Sequence, residues 1–173
     1  MKKNICLMLC FAIIFCFAGC GEQSPEKLAY DELINALEEQ KVIAINPRVE
    51  QDSKGQKYIT ADVKNLSNVE VSEVVLAFAV WNYKGAPVII KSMANPNNQN
   101  YEFQLNLPDD VKIPANEMWN GIGGVFLHKN CPSVKYVKAV VVSCKMGVRK
   151  FNNRHYKNWK KTFVNKTLED WMK

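Results

Sequence analysis

The side chains able to do chemistry in this 173-residue chain are few: six cysteines, at 6, 10, 16, 20, 131 and 144, and two histidines, His128 and His155. His128, Cys131, Cys144 and His155 are donor types that zinc accepts. However, Cys131 and Cys144 bracket an apolar run at 136–144 that reads as a strand, and eight or nine extended residues cover about 25 to 30 Å. One ion cannot gather all four without breaking that strand, so no metal site is expected. The same length argues against a disulfide, which needs Cα atoms within about 7 Å. Unless the strand ends early or Cys131 folds back beside it, the pair stays unbridged, with Cys144 a small core residue. Asp109-Asp110, between Pro108 and Pro114, reads as a solvated loop and not as a general acid–base pair. There is no His-Glu-x-x-His, Gly-x-Ser-x-Gly, phosphate-cradling glycine loop or Cys-x-x-Cys. The chain is therefore expected to be no enzyme and to need no cofactor.

Cys20 has a different setting. Lys2 and Lys3 precede about thirteen mostly apolar residues, 5–17, a length that suits the hydrophobic part of a secretory signal and is short for a membrane span. Phe17-Ala18-Gly19-Cys20 follows and resembles the bacterial lipobox, whose cysteine accepts a diacylglyceryl group and becomes residue one after cleavage. The resemblance implies a signal peptide at 1–19, a lipid-anchored tether at 20–24, lipidation of Cys20 and an extracytoplasmic place on the cell membrane. Excising 1–19 from 173 residues leaves 154, enough for one domain with a real core. It removes Lys2 and Lys3 and no acid, so the formal charge falls from +6 to +4. Only Cys131 and Cys144 then remain beside Cys20, which excludes a disulfide-stapled scaffold. An exported address leaves no nucleic-acid partner expected.

The elements that must position these residues follow from hydrophobic period. Ser24 can cap a helix with Pro25 at its first position, and Tyr30, Leu33, Ile34 and Leu37 form one apolar stripe, so an amphipathic helix is expected over 25–40. From Lys41 the period becomes two. Strands are expected at 42–49, 57–65, 70–83, 86–91, 101–107, 117–128 and 136–146, with Asp52-Ser53-Lys54-Gly55 turning the first pair into a hairpin. In the third, Phe78 and Val80 point to one face and Ala79 and Trp81 to the other. A strand apolar on both faces must lie centrally and be covered on each side. Asn82 can accept a backbone N–H two residues on, and Gly85 can take the positive φ that closes a turn. One helix followed by seven strands with turns at short intervals argues for an antiparallel β-sandwich.

Val63-Lys64-Asn65-Leu66-Ser67, Phe78-Ala79-Val80-Trp81-Asn82 and Gly85 together resemble the FxLYD-type immunoglobulin-like domains of bacterial surface proteins. Val80, Trp81 and Asn82 stand where that pattern has Leu, Tyr and Asp, all of similar shape. The 113–127 stretch is similar to the proline-containing turn and ascending strand of such sandwiches, and the 156–159 tail to related lipoproteins. The resemblance implies an immunoglobulin-like sandwich over 41–146 with a binding, spacing or adhesive role, and carries no catalytic residue.

Residues 145–166 hold Lys145, Arg149, Lys150, Arg154, Lys157, Lys160, Lys161 and Lys166 and no acid, with Phe151, Tyr156, Trp159 and Phe163 interleaved. The basic tail is expected to be helical over 147–173. Either its aromatics cover the end of the sandwich while the lysines are merely solvated, or Arg154, Lys157, Lys160 and Lys161 meet anionic lipid or an envelope polymer. Near such a surface each cation is worth roughly 1 kcal/mol. The whole is expected to be a mainly β, lipid-anchored binding or interaction module of the bacterial envelope with an amphipathic helix at each end; the alternative is a spacer or assembly partner in an envelope protein complex.

Overall fold

A computed structural model describes residues 23–121 and 123–173. The expected signal segment 1–19 and Cys20 lie outside the described residues. The chain divides into two compact units, one ending at Glu32 and one running Leu33–Lys173. In the first, Ser24 caps helix α1 (Pro25–Glu38): its hydroxyl accepts the Lys27 N–H at 3.3 Å, and Pro25 fills a first-turn position that needs no donor. In the second, Leu33 is buried while Ile34 and Leu37 are half-buried. Among the described residues no helix is long and apolar enough to cross a membrane.

The second unit is mainly β and holds two antiparallel sheets. Strands β1 (Val42–Gln51), β2 (Lys57–Asn65), β5 (Met118–Trp119) and β6 (Val125–Phe126) form one, in which β2 pairs with the other three. Strands β3 (Val71–Trp81), β4 (Glu102–Asn106), β7 (Tyr136–Met146) and β8 (Arg149–Asn152) form the other, in the order β4-β3-β7-β8. Alternation explains the sandwich-like packing: Ile59, Ala61 and Val63 of β2 share one apolar cluster with Leu76, Phe78, Val80, Val141 and Cys144 of the second sheet.

Strand β3 is central, between β4 and β7, and each residue from Leu76 to Trp81 is buried. Ala77, Ala79 and Trp81 lie outside the main cluster, on the opposite face of their sheet. That face carries Val140 opposite Ala77 and is covered by helix α2 (Tyr156–Phe163), whose Trp159 and Phe163 are each 1% exposed. Phe163 meets Trp81 edge-on at 6.2 Å, and the Trp81 indole N–H donates to the Lys166 carbonyl at 2.6 Å. The tail aromatics thus complete a second, smaller core.

Three expectations change. The segment at 86–91 is no strand; it touches the second sheet through one bridge, Trp81 with Pro87, and Ser92 just after it bridges Leu127. The strand expected at 117–128 breaks into β5 and β6, because its glycine-rich middle lies on β2: a Cβ on Gly124 would stand 2.2 Å from the Ile59 carbonyl oxygen. The tail expected to be helical over 147–173 opens instead with β8. Met146 pairs with Arg149, so Gly147 and Val148 make a two-residue hairpin turn with Gly147 at φ +56. The helix proper is eight residues long and is followed by a single 3₁₀ turn, Asp170–Met172.

Candidate functional site

The sequence-expected cations separate into those the fold consumes and those it leaves free. Tyr156, Trp159, Lys160 and Phe163 fall at helical spacing on the face of α2 that meets the sheet. Lys160 Nζ lies 2.7 Å from Glu102 Oε2, and the Glu102 side chain is only 8% exposed. Glu102 also accepts from the Tyr156 hydroxyl and from Gln104 Nε2 at 2.9 Å. Burial alone would raise the Glu102 carboxyl, but the bonds from Lys160, Tyr156 and Gln104 outweigh it and hold it below the usual carboxylate value. Burial, and then the bond to Glu102, push the Tyr156 phenol upward. Lys160 therefore fastens α2 to β4 and is no free surface cation. Lys157 and Lys161 are exposed one turn apart on the opposite face, with no hydrogen bond or ion pair among the described residues. Arg154 is exposed before the helix, its Nε donating to His155 Nε2 at 3.0 Å.

A groove of about 810 Å³ adjoins the β7–β8 hairpin. Its apolar wall includes Val69, Met146, Val148 and Phe151, and its cations are Lys41, Arg149, Lys150 and Arg154, with Glu39 as the acid. Asn153 holds one side in place. Its Nδ2 donates to the Val141 carbonyl at 2.7 Å, while its Oδ1 accepts the His155 N–H and the Gln40 amide, each at 2.8 Å. A buried asparagine that bonds three ways fixes both the chain before α2 and residue 40 beside it. Sequence reasoning missed this groove, because Lys41 and Val69 are brought to the hairpin only by tertiary packing. The local sign it could have used was Gly147, a residue able to take the positive φ of a two-residue hairpin turn directly after the alternating strand β7.

A polar network on the outer face of the first sheet was also missed. Arg48 donates to Asp62 Oδ1 at 2.8 Å and pairs with Glu50, which accepts from the Tyr58 hydroxyl, and Asn46 Nδ2 reaches Asp62 Oδ2 at 3.0 Å. The Tyr58 and Arg48 bonds hold the Glu50 carboxyl low. Asn46 has φ +50 at a register shift in β1, so the network braces a bulge next to Pro47 on an edge strand. Its members satisfy one another, which makes it a brace for the fold.

The four imagined zinc donors do not converge: His128 and Cys131 share one turn, in which the Cys131 N–H donates to the His128 carbonyl at 2.8 Å, while Cys144 and His155 belong to other elements. His128 Nδ1 accepts the Asn130 N–H at 3.2 Å, His155 precedes α2, Cys144 is in the core and Cys131 lies 3.9 Å from the Ile89 carbonyl. Among the described residues no three His, Cys, Asp or Glu side chains gather as metal ligands. Burial pushes both thiols up, Cys144 to about 11, so neither is thiolate-rich near neutrality. Asp109 and Asp110 are exposed in their loop.

These features define a β-sandwich-like protein with a cationic groove and a partly consumed basic helix. Residues 58–166 match DUF5780, a family of unknown function, and the chain belongs to that family. The matched span runs from β2 through α2, so it includes the helix that completes the second core. No curated protein matches the chain. A 1.85 Å X-ray structure of a hypothetical protein from Peptoclostridium difficile 630 is similar in fold, with TM-score 0.60 and 11% identity, over 78% of this chain and 99% of that one.

Proposed function

We propose that the protein is a lipid-anchored, extracytoplasmic binding or interaction module of the bacterial cell envelope, built on an immunoglobulin-like sandwich and without enzymatic activity. The observation that carries this reading is the order Lys2-Lys3, apolar 5–17, Phe17-Ala18-Gly19-Cys20. A diacylglyceryl group on Cys20 is the anchor. The tether Gly21–Ser24 spans at most about 14 Å, so the folded chain works beside the lipid surface. The immunoglobulin-like part draws support from Asn65 and Ser67 of the Val-x-Asn-x-Ser segment. Asn65 is fully buried and its Nδ2 donates to the Val69, Ile113 and Pro114 carbonyls, while Ser67 donates to its Oδ1 at 2.6 Å, a staple between two loops.

The exposed Arg154, Lys157 and Lys161 support a negatively charged partner, an anionic leaflet or an envelope polymer; Lys160 adds little, since it neutralises Glu102. Growth with labelled fatty acid tests the anchor: wild type should take up label and Cys20→Ser should not. Label on the variant would overturn it. In-cell cross-linking that captured one stoichiometric envelope protein, with no charge-dependent surface binding, would favour the spacer or assembly role.

A further inference from the structure

We infer that the β7–β8 hairpin tip and the groove beside it form a docking surface for an anionic lipid bilayer. The inference deepens the proposed function by naming the surface that meets the membrane, and rests on that reading only in placing a membrane nearby. Val148 is 94% exposed, an extreme value for a β-branched apolar residue, and it stands at the end of a two-residue turn. Nothing in the fold requires an apolar side chain there. Arg149 and Lys150 follow it directly, Val69 is 37% exposed nearby, and Lys41 and Arg154 complete the cationic lining against the single acid Glu39. The turn is held firmly: the Gly147 N–H donates to the Glu70 carbonyl at 2.9 Å, and Gly147 lies against Val69.

An apolar tip flanked by cations on its groove side, with Glu70, Glu73 and Asp109 offset by Lys112 and Lys145 on the other side of the hairpin, matches the two layers of a bilayer surface that meets the groove side, where negative headgroups overlie an apolar interior. Charge complementarity selects an anionic leaflet over a neutral one. The protruding valine selects a bilayer over a soluble acidic polymer, which has no apolar layer to receive it. The stripe of Lys157 and Lys161 lies apart from this groove, so the two surfaces can be tested separately.

The test places the full chain in vesicles of phosphatidylcholine alone and in vesicles that also contain phosphatidylglycerol, and reads amide hydrogen exchange at 147–150. The N-terminal apolar segment is present in both preparations, so a difference between them reports the hairpin. Exchange should slow about tenfold on the anionic vesicles, as for a tip docked most of the time. It should be unchanged on the neutral ones. Val148→Asp, at a side chain with almost no folded contacts to lose, should abolish the slowing, and Arg149→Gln with Lys150→Gln should reduce it to less than about twofold. Equal exchange on both vesicles, slowing that survives Val148→Asp, or the same slowing from soluble polyglutamate would each overturn the inference. A Cys20 that takes no fatty acid would remove the anchor, while a protected tip in the same protein would still support docking.

Discussion

Glu102 shows how one carboxylate decides which cations of the tail are available. It is largely shielded from water, yet three donors hold it ionised. Because its folded pKa lies below the ordinary value of 4.5, its stabilisation is fully present above that value and is lost as pH falls through the lower folded one. Glu102→Gln should therefore lower the urea midpoint at pH 7, and the gap from wild type should close as the pH falls through the lowered folded pKa. A gap that stayed constant with pH would mean that the charge of Glu102 is irrelevant to α2 docking. The sequence could not show this pair, since Glu102 and Lys160 belong to elements far apart in the chain and no local period links them. It did show the chemistry of Asn82, whose Oδ1 accepts the Lys84 and Ala86 N–H groups at 2.9 and 3.1 Å around Gly85 at φ +80. That motif is contained in a few consecutive residues, which is why it could be read.

Among the elements, strand β3 was the most legible because its two apolar faces are written in its own residues. Phe78→Ala should cost about 3 to 5 kcal/mol, the range for truncating a large buried side chain. A loss below about 1 kcal/mol in urea melts would contradict its place in the core. Gly85 ties this strand to the C-terminal tail: the Leu168 N–H donates to its carbonyl at 2.8 Å, and an added Cβ would stand 2.6 Å from the Leu168 carbonyl oxygen. Gly85→Ala combines that clash with a positive φ and should cost about 1 to 3 kcal/mol, with exchange quickening around 166–168 before the rest of the fold. Uniform exchange across the chain would contradict the tie. β8 and the break between β5 and β6 were not legible. A four-residue edge strand that begins Arg149-Lys150 and has Phe151 as its one apolar residue has no alternation strong enough to separate it from a helix start. The glycines that split the other pair act through contact with β2, not through their own period.

At the scale of the whole molecule, two antiparallel sheets over one apolar cluster followed from the alternating strands, whereas the second core and the groove arose from the tail folding back. The same tail that supplies Trp159 and Phe163 to the fold supplies Arg154, Lys157 and Lys161 to the surface, so its composition alone could not divide structural from functional residues. The central claim is that this assembly is held at a membrane by Cys20, with its cationic surfaces turned to anionic partners. Mass spectrometry of the N-terminal peptide of the mature protein, isolated from bacterial membranes, tests that claim most directly. The account predicts a peptide that begins at Cys20 and carries a diacylglyceryl modification; an unmodified Cys20 or a mature terminus at another residue would contradict it.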